Sequence, residues 1–73
     1  MKKTIPSQVK DDAPEILKDY LKKHHITQTE LAEWCNVPVA SINQRLTGRI
    51  KFTADFAIMV SRALMIDLRI FLK

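Results

Sequence analysis

Two short helices joined by only three residues can pack in few ways, and residues 27–46 carry the signals for such a pair. Thr27-Gln28-Thr29-Glu30 is a capping box, in which the Thr27 hydroxyl accepts from the Glu30 amide while the Glu30 carboxylate reaches back to the amide of Thr27. Ile26 and Leu31 stand at the two positions of a hydrophobic staple around it. Leu31, Ala32 and Cys35 then share one helical face. Asn36 is the residue type that, after glycine, best tolerates the left-handed conformation, so it can end this helix in a tight turn. Val37 points back to the core, Pro38 restarts the chain, and residues 39–46 form a second short helix with Ile42 and Leu46 at i, i+4 spacing. A turn this brief forces a steep crossing, with Val37 and Ile42 wedged between the helices. The opposite face of the second helix is thereby turned outward, and it carries Val39, Ala40, Asn43 and Gln44, with Ser41 at its edge.

The remaining sequence supports the same all-α class. Residues 1–11 hold Pro6, Ser7, Gln8 and the lysines Lys2, Lys3 and Lys10 without a sustained period, and read as a flexible arm. Residues 12–73 read as one domain. Asp12-Ala13-Pro14-Glu15 looks like a helix start with Asp12 as N-cap, followed by Ile16, Leu17, Tyr20 and Leu21 at helical spacing. Gly48, the only glycine, stands where a left-handed cap would close the 39–46 helix. Thr53 caps a further helix with Phe56, Ala57, Val60 and Leu64 as its buried stripe, and Asp67 caps a short last turn carrying Leu68, Ile70, Phe71 and Leu72. With one Gly and three Pro the chain is poor in the turn residues that an all-β fold needs. The expected architecture is a compact bundle of four to five short helices around a central helix-turn-helix.

Charge and chemistry narrow the function. Twelve Lys and Arg against eight Asp and Glu leave a net charge of +4, a basic excess that suits a nucleic-acid partner. No acidic residue occurs from Trp34 to Ala54, whereas Arg45, Arg49 and Lys51 fall inside that window. At 73 residues there is little room for an enclosed substrate pocket, and no nucleophile–base constellation or glycine-rich phosphate loop is present, so the chain does not read as an enzyme. His24 and His25 are adjacent and point to different helix faces, which is wrong for metal chelation, and nothing calls for a cofactor. The single Cys35 reads as a small buried apolar residue and fits a cytoplasmic location. No apolar run approaches the roughly 20 residues of a membrane span.

The run Thr27-Gln28-Thr29-Glu30-Leu31-Ala32-Glu33, then Val37-Pro38, Ser41-Ile42-Asn43, Leu46, Gly48, Thr53, Asp55, Ala57 and Arg62-Ala63-Leu64 resembles the XRE family of helix-turn-helix proteins, the type of the phage repressors and Cro. Within it the sequence is most similar to HigA-type antitoxins. The chain departs from the family pattern at Asn36 and Met65, where glycine is usual, and at Val39, where a hydrogen-bonding residue is common. The resemblance implies a bacterial or phage-encoded, DNA-binding homodimer on a palindromic operator. It assigns base reading to Val39 and Ala40 (thymine methyl groups) and to Asn43 and Gln44 (adenine edges). Gln28, Ser41, Arg49 and Lys51 would hold the DNA backbone. The apolar tail Leu68, Ile70, Phe71 and Leu72 is expected to form the dimer surface. Trp34 and Met59 are candidates for contact with a partner such as a cognate toxin.

Three functions follow from this reading: a repressor of its own operon acting as an antitoxin, a phage-type or orphan regulator without a toxin, and a toxin-neutralising interaction protein that binds DNA weakly.

Overall fold

A computed structural model of the chain describes residues 9–73. Four α-helices follow in order: α1 (Ala13–Lys23), α2 (Gln28–Cys35), α3 (Val39–Leu46) and α4 (Ala54–Leu64), and a 3-10 turn, Leu68–Phe71, closes the chain. Helices α2 and α3 form the helix-turn-helix. The expected arm, residues 1–11, lies outside the described residues except at its end, where Val9 forms an antiparallel bridge with Leu72 and the Lys10 N–H donates to the Phe71 carbonyl at 2.8 Å. Val9 also packs, partly buried, against the core.

Local sequence accounts for most element starts. The capping box is complete: the Glu30 N–H donates to Thr27 Oγ1 at 3.0 Å and the Thr27 N–H to Glu30 Oε1 at 2.9 Å. Thr53 caps α4 by accepting from the Phe56 N–H, and Asp67 caps the 3-10 turn by accepting from the Arg69 N–H. Asp12 occupies the N-cap of α1, but its side chain accepts no capping bond. Instead the Ala13 N–H donates to the Lys10 carbonyl, one turn back.

Three of the four helices end in the same way, and none of them uses glycine. His25, Asn36 and Met65 each adopt a left-handed backbone, with φ of 56°, 58° and 58°. The next amides, of Ile26, Val37 and Ile66, reach back five residues to the carbonyls of Leu21, Ala32 and Ser61. This is the Schellman arrangement, and its apolar residue after the left-handed position packs inward. Ile26, Val37 and Ile66 all rest, partly buried, against the core. Gly48, with φ of 86°, turns the chain after α3.

One core runs through the whole bundle. Ala13, Leu17 and Leu21 of α1 meet Leu31 and Ala32 of α2, Ile42 and Leu46 of α3, and Phe56, Ala57 and Val60 of α4. Leu64, expected in this stripe, is only partly buried. Phe52 and Phe71 complete the core with Phe56: the Phe52 ring stands edge-on to Phe56 at 4.8 Å and lies 5.5 Å from Phe71.

The position of Phe71 removes that residue from the expected dimer surface. Its side chain is 0% exposed, at the centre of the chain's own core, and Leu68 and Ile70 pack partly buried against the same core. Leu72 is half-buried and held by the bridge to Val9. Phe71 is therefore withdrawn from any partner, while Leu68, Ile70 and Leu72 keep part of their surface.

Candidate nucleic-acid interface

Packing of α3 against α2 and the rest of the core buries Ile42 and Leu46 and leaves the other side of α3 in solvent. Val39, Ala40 and Asn43 are exposed, and Ser41 and Gln44 are half-buried at the margins. Two apolar contacts at the start of the helix thus precede two carboxamides one turn later. Val39 and Ala40 suit thymine methyl groups; a carboxamide can pair with the N6 and N7 atoms of adenine.

Asn43 is held in place. Its Nδ2 donates to Oε1 of Gln28 at 3.2 Å, a bond that ties the start of α2 to the middle of α3. A carboxamide nitrogen has two hydrogens. The bond to Gln28 uses one, leaving Asn43 one N–H and its Oδ1, the donor–acceptor pair that an adenine edge requires. Gln28 keeps its own NH2 as a donor at the N-terminus of α2, where the first amides have no intrahelical acceptor and an anion is favoured. Gln28 is therefore braced against α3, and the geometry leaves both residues a free donor.

The loop after α3 supplies cations. Arg49 and Lys51 are exposed on either side of Ile50, itself 40% exposed. Arg45 is different in kind. Its Nη1 donates to the Ser41 carbonyl at 3.0 Å and its guanidinium lies 5.0 Å from the centre of the Phe56 ring. This cation–π contact makes Arg45 a clamp between α3 and α4 and not a free basic side chain. Phe56 is core, as its place in the buried stripe of α4 leads one to expect.

Trp34 and Met59 line one shallow groove, on residues separate from those assigned to DNA. Trp34 is 52% exposed and Met59 half-buried. Cys35 lies in the same groove, and partial burial pushes its thiol pKa up. Elsewhere Arg69 lowers the Asp67 pKa by hydrogen bonding to its carboxylate, at the far end of the chain from α3 in sequence. Among the described residues no group of His, Cys, Asp or Glu is arranged to hold a metal ion, and no helix is long and apolar enough to cross a membrane.

No curated protein and no solved structure matches the chain. A family model described as helix-turn-helix, of the XRE type, matches residues 17–71, which takes in α2, α3, the basic loop and α4. The chain belongs to the XRE-type helix-turn-helix family of DNA-binding regulators.

Proposed function

We propose that this protein is a sequence-specific repressor that binds a palindromic operator as a homodimer and silences its own operon in the manner of a HigA-type antitoxin. The observation that carries the DNA-reading part is the outward face of α3, where Asn43 is fixed by Gln28 with Gln44 beside it and Arg49 and Lys51 one loop away. Val39, Ala40, Asn43 and Gln44 enter the major groove and read an A·T-rich half-site. Gln28, Ser41, Arg49 and Lys51 meet phosphates and set the register without reading sequence. One such domain covers too few base pairs for selectivity, so two copies act on half-sites about 34–36 Å apart. The antitoxin role rests on the resemblance of the 27–33 and 53–64 segments to HigA-type sequences.

The test is binding of the purified full chain to DNA from immediately upstream of its own reading frame, against a scrambled fragment, at 50 and 200 mM salt. Arg49 and Lys51 of the two copies neutralise four phosphates, which gives a slope of about −3.6 in log affinity against log salt and hence roughly a hundredfold loss over that range. Tight binding that prefers the native fragment supports an autoregulator. Equal binding to both fragments contradicts it.

A further inference from the structure

Among the large apolar side chains left in solvent, Val39 and Ile50 lie beside the DNA-reading face, and three others, Trp34, Ile58 and Met65, do not. Trp34 joins two adjoining shallow grooves. One contains Leu64 and Met65; the other, of about 470 Å3, runs along α4 from Asp55 past Ile58 and Met59 to Arg62. None of the residues assigned to DNA lines either groove.

The charges on this face have a pattern that selects its occupant. Asp55 and Arg62 are both exposed and stand seven residues apart on α4. They are thus separated by about 10.5 Å along the helix and lie on one stripe to within about 20°. Ile58 and Met59 occupy the middle. The ion pairs among the described residues are Glu15–Lys18 and Asp67–Arg69, so neither Asp55 nor Arg62 is paired with another described residue. Each complements the dipole at its own end of α4, which accounts for the signs but not for the shared stripe or the apolar pair between them.

A two-fold contact requires that whatever residue i meets, residue j meets in return. An antiparallel pairing of α4 with its copy, with the axis between residues 58 and 59, satisfies this at each step. Asp55 then faces the partner's Arg62, Ile58 faces the partner's Met59, and both contacts recur in reverse. We propose that the outward face of α4 is the self-association surface of this protein, closing a two-fold dimer with a second copy. Ion pairs between Asp55 and the partner's Arg62 form both ends, and Ile58, Met59 and Trp34 form the apolar centre. This deepens the homodimer of the proposed function by giving it a surface, in place of the 3-10 turn.

The test is sedimentation equilibrium of the full chain without DNA, so that its result is independent of whether the protein reads an operator. The wild-type chain associates reversibly to twice its 8.4 kDa mass. Asp55→Arg and Arg62→Asp each place like charges together at both ends of the interface and weaken association at least about tenfold. The double variant Asp55→Arg/Arg62→Asp restores the opposite-charge pairing and returns association to within about threefold of wild type. Ile58→Glu, which puts a charge at the apolar centre, weakens it as well, and circular dichroism of all four variants retains the wild-type helix signal. A chain that stays monomeric overturns the proposal, as does a double variant no stronger than the singles. Unchanged association in the single variants, with loss of binding to the product of a neighbouring reading frame, would hand this face to a heterologous partner and overturn it too.

Discussion

Phe71→Ala is expected to remove most of the protein's folding stability, although the residue is only two positions from the end of the sequence. Phe71 is 0% exposed and lies 5.5 Å from the Phe52 ring, and its carbonyl accepts from the Lys10 N–H. Truncating a buried phenylalanine costs about 3–5 kcal/mol through lost burial and the cavity left behind. A domain of this size sits near the lower end of the usual 5–15 kcal/mol of stability. Thermal melting monitored by circular dichroism should show Tm lowered by at least about 15 °C, the scale expected when each kcal/mol moves a small domain by about 4–8 °C. Leu72→Ala, at a half-buried position beside it, should cost clearly less. A Phe71→Ala variant that melts like wild type would mean that the aromatic core does not include residue 71, and would return the C-terminal tail to the role of an interface.

The second large effect separates reading from holding. Gln44→Ala removes a carboxamide from the outward margin of α3 and, with it, an adenine contact worth about 1–3 kcal/mol in each half-site. Over two half-sites this becomes about 2–6 kcal/mol, so operator affinity falls by at least thirtyfold and approaches the affinity for scrambled DNA. Arg49→Ala behaves differently. It weakens operator and scrambled DNA by similar factors and lowers the salt slope by about one per chain, because a phosphate contact carries no sequence information. Fluorescence anisotropy with both DNAs at two salt concentrations distinguishes the two patterns. If Gln44→Ala weakened both DNAs equally, Gln44 would be a backbone contact, and base reading would pass to Asn43 with its Gln28 brace.

The contrast between what the residues announce and what they hide is instructive. The capping box at Thr27, the left-handed Asn36, the closing Gly48 and the Thr53 cap are local chemistry, with the signal within a few residues of the effect, and they define α2, α3 and the start of α4. The outward face of α3 follows from periodicity once that turn is placed. His25 carries no expectation of a left-handed conformation, and Met65 stands out only as a departure from the family's usual glycine. Both take it because the β-branched residue that follows, Ile26 or Ile66, gains a place against the core, as Val37 does after Asn36. A polar or exposed residue followed by a lone β-branched one at a helix end was the available signal.

Long-range packing was less legible. Phe52 stands in a loop between two helices, and Phe71 in a short tail; neither belongs to a periodic run that would mark it as buried. Their burial depends on three rings meeting across 20 residues of sequence, from Phe52 to Phe71. Val9 likewise gave no local sign of its bridge to Leu72. Arg45 looked like one more cation in an acid-free window, and only the geometry shows it spent on Phe56 and the Ser41 carbonyl. The symmetry of Asp55 and Arg62 about Ile58 and Met59 can be read from spacing, but it acquires meaning only when α4 is seen with that stripe in solvent.

The central claim is that the outward face of α3, with the start of α2 and the basic loop, is the surface that meets DNA. Its most direct test is titration of the 15N-labelled chain with DNA from upstream of its own gene, followed by amide chemical shifts. The account predicts the largest changes at Gln28 and Thr29, at Val39, Ala40, Asn43 and Gln44, and from Gly48 to Lys51, with α1 nearly silent. Changes confined to other surfaces, with residues 39–51 unmoved, would contradict it.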